Sequence, residues 1–238
     1  MEIYQNKFTV DEHDVGYNGV CRASALMRYM QSAAQNQLTD NGMSYDLLRK
    51  RKRAFLLSRI KIEFTSDLFS GEPISAYTFP AESRGYGFMR FYQLMRDGVS
   101  VGRAVSVWAL IDTDSRSLVR VNDFELGLKT YDALDLTLDR MIVPKSLEEV
   151  GKYKVTYADT DRNMHMNNTR YPDMYSEFLP LADKRIAEIS INYLKEAPMG
   201  DTLTVTRGYF DGVYYFRTLR SDGQINSEAR ITLTDIKR

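Results

Sequence analysis

The sequence predicts an α+β chain made of two copies of one unit, in which a strand, a helix and three or four antiparallel strands follow one another. Three observations predict it. The chain aligns with itself over three separate stretches taken in the same order. One of those stretches places its apolar residues at helical spacing in both copies, and another alternates them with a period of two in both copies.

The elements follow in chain order. A displacement of 145 lays residues 10–34 over 155–179, so that Val10 meets Val155, Asp14 meets Asp159 and Asn18 meets Asn163. Leu26, Tyr29, Met30, Ala33 and Ala34 then coincide with Tyr171, Met174, Tyr175, Phe178 and Leu179, each set forming one apolar helix face. Asn168 or Thr169 is the expected cap of the second helix, Pro172 fits its first turn and Pro180 stops it, while Ser24 is the matching cap in the first copy. A displacement of 129 aligns RIKIEFTSDLFSGEPI, from Arg59, with EISINYLKEAPMGDTL, from Glu188. Ile60, Ile62 and Phe64 pair with Ile189, Ile191 and Tyr193 as strands with one buried face, and Gly71 and Gly200 coincide as the turn that follows. A displacement of 125 brings together Asp97-Gly98 and Asp222-Gly223, both hairpin dipeptides. The step from 145 to 129 gives copy one 16 extra residues after its helix, among them Arg49, Lys50, Arg51, Lys52 and Arg53. The expected units are 1–121 and 153–238, joined by a linker over 122–152.

A sheet with one apolar face must bury it, and the simplest solution wraps each sheet round its own helix and pairs the two sheets. That arrangement is a tandem, or double, hotdog fold. The competing reading, one mixed domain with an accidental repeat, has to explain three alignments in order with helix faces and turns in phase.

Composition narrows the function classes. Of 238 residues 43% are hydrophobic and 27% charged, ordinary globular usage, and the 32 basic residues match the 32 acidic ones. That balance argues against nucleic acid or an anionic membrane as a general partner, so any charged partner must meet a local patch. The single Cys21 excludes an internal disulfide, and the opening MEIYQNKFTVDEHD lacks a signal-peptide apolar core, so a cytoplasmic location is expected. With two histidines and no HExxH or CxxC, no metal is expected. GxSxG and Walker motifs are absent too, no organic cofactor is implied, and Cys21 reads as a small core residue.

Duplication frees one copy to lose its polar machinery, so chemistry is sought where the copies differ. Asp161 faces Gly16, His165 faces Val20 and Glu196 faces Asp67, while Asn163 faces Asn18. One active site is therefore expected, in copy two. The segment YADTDRNMHMNNTRY, over 157–171, leads into a helix terminus, where amides can stabilise negative charge. In an extended backbone, Asp161, Asn163 and His165 at alternate positions would converge on one atom, with Glu196 arriving from another strand. For an arbitrary DxNxH, turn hydrogen bonds and plain packing are the better explanation; the repeat comparison singles out these residues independently.

The same residues resemble the acyl-acyl carrier protein thioesterases of plants and bacteria, over nearly the whole chain. DRNMHMNN followed by TRY is similar to that family's most distinctive segment, INYLKEA to its strand bearing a catalytic glutamate, and RAVSVWALID with SRSLVRV to its first-repeat strand and turn. The resemblance implies catalytic positions at Asp161, Asn163, His165 and Glu196, and hydrolysis of a fatty acyl thioester on the phosphopantetheine arm of an acyl carrier protein, releasing free fatty acid. Plant members often carry a cysteine after the glutamate; here the residue is Ala197. A carboxylate in a partly apolar site could then act as base or nucleophile, and His165 could protonate the leaving thiolate. Copy one, with Leu26, Met27 and Met30 on its helix, is the expected acyl pocket, and Arg49 to Arg53 the expected contact for an acidic carrier. A hotdog hydratase or dehydratase and a non-catalytic acyl-thioester binder are the alternatives. A monomer or a homodimer fits equally.

Overall fold

The computed structural model describes residues 3–237. Copy one contains β1 (Tyr4–Thr9), α1 (Ala23–Asp40), α2 (Tyr45–Lys50), β2 (Arg53–Phe64), β3 (Pro73–Pro80), β4 (Gly87–Arg96) and β5 (Val99–Asp112), with a two-residue β6 (Leu118–Val119) hooked onto β5. Copy two contains β7 (Glu148–Lys154), α3 (Tyr171–Ser176), β8 (Lys184–Tyr193), β9 (Thr202–Phe210), β10 (Val213–Leu219) and β11 (Ile225–Asp235). The strands form one antiparallel sheet in the order β1-β3-β4-β5-β2-β8-β11-β10-β9-β7. Read from either edge, the order is the same: each copy runs first, third, fourth, fifth and second strand towards the centre.

The seam between copies is the antiparallel pair β2 and β8, where Ile60 meets Ile191 and Ile62 meets Ile189. These isoleucines are buried on the inner face. On the other face, at alternate positions, Lys61 lies 3.1 Å from Glu63 and 3.5 Å from Glu188. Alternation therefore joins the copies by apolar burial inside and by charge pairing outside. Against the inner face pack α1, through Leu26, Met27, Met30, Ala33 and Ala34, and α3, through Met174 and Tyr175, all in one continuous core. The Ala, Leu, Met and Gln content of α1 suits a long helix.

The repeat holds down to single backbone hydrogen bonds. The amide of Gly16 donates to Val20 as that of Asp161 does to His165; Cys21 donates to Leu68 as Met166 does to Ala197; Gly71 donates to Val10 as Gly200 does to Val155. Gly71 and Gly200 both adopt the left-handed conformation expected of these turns. Asp97-Gly98, with φ of 49° and 78°, makes a tight hairpin, and so does Asp211-Gly212, at 50° and 80°. Asp222-Gly223 sits instead in a longer connection between β10 and β11.

Several local expectations need correction. Ser24 does not cap α1: it is buried inside the helix and its hydroxyl has no hydrogen-bond partner among the described residues, while Arg22 occupies the cap position without a side-chain bond. In copy two neither Asn168 nor Thr169 caps α3, whose cap position is Arg170 without a side-chain bond; Asn167 caps the preceding 3-10 turn, its Oδ1 accepting from the Thr169 amide at 2.9 Å. The 3-10 turn Asn168–Arg170 then runs into α3, with Pro172 in its first turn, and α3 ends before Pro180 is reached. The extra residues of copy one lengthen its helix and add α2. Within the expected linker, β7 already claims 148–152, and Leu134, Leu136 and Leu138 pack with Tyr131 over Phe79, Phe91 and Val105 on the outer face of the copy-one sheet.

Candidate active site

The loop that carries Asp161, Asn163 and His165 is a tight turn, and its backbone is not extended. The Asp161 and His165 backbones are bonded to each other, the Met164 amide returns to Asp161 O, and Met164 has φ of 61°. A side chain in that left-handed region costs about 1–2 kcal/mol. The Asp161 carboxylate caps the turn by accepting from the Asn163 amide at 2.8 Å. The loop is fixed to the segment after β8 by Met166 N to Ala197 O at 2.8 Å and Met199 N to Met164 O at 3.0 Å. Those bonds bring Glu196 to His165, Oε2 to Nδ1, at 3.4 Å.

Below the loop, Asp159 is buried and accepts hydrogen bonds from the amide and hydroxyl of Thr156 and from Tyr153. Burial alone would push its carboxyl up, but these bonds and Arg170 hold it below the usual carboxylate range. It stays ionised as the anchor of the loop.

Asp161, Asn163, His165 and Glu196 all line one cavity of about 1150 Å³. Copy one supplies the opposite wall, with Phe55, Phe88, Trp108 and Ile111 of the sheet and the polar side of α1 at Arg28, Gln31, Ser32 and Gln35, and Leu126 adds to it from beyond the sheet. From α2, the Tyr45 hydroxyl donates to Asn163 Oδ1 at 3.0 Å, and Arg162 stacks on the Tyr45 ring at 4.2 Å. A cluster of carboxylate, amide and imidazole in a cleft walled in part by aromatic side chains can activate water beside a bound apolar chain.

Sequence models of the acyl-ACP thioesterase N-terminal and C-terminal domains match residues 1–126 and 144–235. The chain belongs to the acyl-ACP thioesterase family. It is 25% identical to oleoyl-acyl carrier protein thioesterase 1, chloroplastic, of Arabidopsis thaliana, across 94% of this chain and 70% of that protein. With the second Arabidopsis oleoyl-acyl carrier protein thioesterase it shares 26% identity across 83% of this chain and 60% of the other. An acyl-ACP thioesterase from Bacteroides thetaiotaomicron superposes with a TM-score of 0.90 at 21% identity, covering 98% of each chain. The 12:0-ACP thioesterase from Umbellularia californica gives 0.84 at 17%, covering 98% and 97%. Likeness at those identities shows the fold, and that fold is the tandem hotdog. Family membership brings the reaction, hydrolysis of acyl-ACP thioesters, and the acyl carrier protein as the substrate's carrier.

For an acyl-ACP thioesterase, two expectations about copy one change. Leu26, Met27 and Met30 are 4%, 0% and 0% exposed and do not line the cavity; they are core, because the apolar face of α1 is the one it presses on the sheet. The basic run is not five equivalent charges. Lys52 pairs with Asp114 and Arg53 with Asp112, whereas Arg49, Lys50 and Arg51 make no ion pair among the described residues. Cys21 is buried, and burial pushes its thiol up to about 12, the opposite of an activated nucleophile.

Sequence reasoning missed the groups that hold the site. Asn226, fully buried, donates through Nδ2 to Lys195 O and, at 3.0 Å, to the Tyr171 hydroxyl, while its Oδ1 accepts from Thr218. Its backbone carbonyl takes the amides of Leu194 and Lys195. Asn226 therefore sets the segment on which Glu196 stands. Burial pushes the Tyr171 phenol up to about 12, with the nearby Glu196 charge adding to the rise, so it remains a neutral hydroxyl beneath the site. In the sequence Asn226 stands beside Ser227, Glu228 and Arg230, so nothing marks it as buried, and Tyr45, in the insertion, carries no signal either.

Proposed function

We propose that copy two hydrolyses the acyl-ACP thioester with Glu196 as general base. The observation that carries this reading is the contact of Glu196 with His165 at the mouth of the one cavity that also holds Asp161 and Asn163. Glu196 takes a proton from a water molecule, whose oxygen attacks the thioester carbonyl carbon. Asn163 keeps Oδ1 on Tyr45, which leaves its Nδ2 donors for the carbonyl oxygen as it becomes an oxyanion. Collapse breaks the carbon–sulfur bond. The proton held by Glu196 passes to His165 Nδ1, and the proton on Nε2 goes to the leaving pantetheine thiolate, so the products are a fatty acid and a free thiol. Asp161 holds the turn through the Asn163 amide and contributes negative charge near the imidazole.

Glu196 is 55% exposed, so the low-polarity surroundings that favour such a base come only when the acyl-pantetheine arm covers it. The acyl chain runs into copy one between Phe55, Phe88 and Trp108, and the acidic carrier docks beside Arg49, Lys50 and Arg51. Units at 1–121 and 153–238 divide the roles of chain binding and chemistry between the copies. A thiol-trapping dye with acyl-ACP substrate tests the reaction. Thiol release is expected; appearance or loss of an enoyl group without thiol would indicate a hydratase, and tight binding with neither would indicate a binding protein.

A further inference from the structure

The cavity crosses copy one outward from the seam. Glu196 follows the end of β8, and the wall residues Phe55 on β2, Trp108 on β5 and Phe88 on β4 succeed one another in the strand order β8-β2-β5-β4. Three strand spacings, roughly 14 Å, separate the reacting end from β4. Phe88 and Trp108 are register partners, and two residues further along β4, on the same face, stands Arg90.

Arg90 also lines the cavity, although only 7% of it is exposed. Its Nη1 donates to Gln37 Oε1 of α1 at 2.5 Å and to Thr78 Oγ1 of β3 at 2.9 Å. Neither Nε nor Nη2 donates to a described residue, and no described carboxylate pairs with it. These two nitrogens are also not among the fully occluded polar atoms without a partner, so the side of the guanidinium that they form stays open. A guanidinium does not shed its charge in a protein, and a buried charge without a counter-ion is tolerated only where hydrogen bonds or a bound acceptor satisfy it. An alkyl chain laid against it would strip the open side of water and return no hydrogen bond.

We infer that Arg90, held by Gln37 and Thr78, is the specificity-determining end of the acyl pocket: saturated chains fit only if they stop short of the guanidinium, and a chain with an acceptor oxygen at its far end can reach it. The inference rests on the hydrolysis proposed above and names which acyl chains that site takes. A purely steric floor would not distinguish a methyl end from a hydroxyl end of the same length.

The experiment measures kcat/KM for thiol release over a ladder of saturated acyl-ACP substrates and a matched ladder with a terminal hydroxyl, using the whole chain. The wild-type protein is expected to show a cutoff at which one longer saturated substrate loses roughly tenfold or more. A terminal hydroxyl at that length is expected to recover most of the loss. Arg90→Met is expected to move the cutoff to longer saturated chains and to abolish the hydroxyl advantage, while Arg90→Lys keeps both. An unchanged cutoff with the same hydroxyl response in a folded Arg90→Met protein overturns the inference. So does a wild-type protein that gains nothing from the hydroxyl, a result that needs no variant to fold. Absence of thiol release at every length would instead overturn the hydrolase reading itself.

Discussion

The loops at 14–22 and 159–167 share one backbone and differ in what their side chains meet. In copy one, Asn18 Nδ2 donates to Leu181 O at 3.0 Å and to Lys184 O at 2.9 Å, and Asp67 pairs with Arg185 and accepts the Lys237 amide at 2.7 Å. The short connection between α3 and β8 presses onto this loop and consumes its polar groups. In copy two the corresponding neighbour is the connection between α1 and β2, and there the chain has the extra residues that form α2. The insertion reaches Asn163 with one hydroxyl, from Tyr45, and roofs a cavity in place of a seal. The difference teaches that the open site of copy two depends on a length change in copy one, and that the loss of Asp and His in copy one accompanies its conversion into a structural lock.

The comparison can be broken most strongly at the chemistry. His165→Ala and Asp161→Asn are expected to lower kcat by about 10²- to 10⁴-fold, the usual worth of proton-transfer groups, with little change in Tm. Asp161→Asn keeps an oxygen for the Asn163 amide, so a near-normal kcat in that variant would assign Asp161 to the turn alone. The counterpart in copy one is a stability effect. Asp67→Ala strands Arg185, only 12% exposed, and is expected to cost about 3–5 kcal/mol in denaturant unfolding while kcat survives at temperatures where the protein stays folded. Loss of kcat without loss of stability there would remove the division between lock and site.

The insertion is tested next. Arg49→Glu with Arg51→Glu is expected to raise KM for acyl-ACP several-fold at low salt and much less at 1 M salt, where the Debye length is roughly 3 Å, and to leave short acyl-CoA hydrolysis nearly intact. Equal losses on both substrates would mean that α2 acts through Tyr45 and the site. The smallest effect concerns the shared turn. Gly19, with φ of 83°, occupies the place that Met164 takes in copy two. Met164→Gly is therefore expected to stabilise the protein by about 1 kcal/mol, and Gly19→Met to destabilise it by a similar amount, in thermal or chemical unfolding.

Much of this architecture was legible because it rests on periodicity. Ile60 and Ile62 against Ile189 and Ile191 marked the seam strands, and the aligned Gly71 and Gly200 marked equivalent turns, since a left-handed residue leaves a glycine in the sequence. Asp161 and His165 were visible as polar residues whose counterparts, Gly16 and Val20, are plain, Asn163 and Glu196 stand beside them opposite Asn18 and Asp67, and the structure brings all four to one cavity. What was illegible is what depends on the other copy. Leu26, Met27 and Met30 show that an apolar helix face signals core, because the cavity-facing side of α1 carries Arg28, Gln31, Ser32 and Gln35. Ser24 shows that a cap residue in the right place can still be swallowed by packing. Tyr45 and Asn226 act through single hydrogen bonds across large sequence separations, a relation that no spacing rule encodes.

The most direct test of one site in a duplicated scaffold is a paired measurement of single-turnover thiol release from acyl-ACP by Glu196→Gln and Asp67→Asn, the two equivalent positions of the repeat. The account predicts that Glu196→Gln loses about 10²-fold or more in rate with its Tm retained, and that Asp67→Asn keeps its rate while losing stability. Equal rate losses in both, or a near-normal rate in Glu196→Gln, would contradict it.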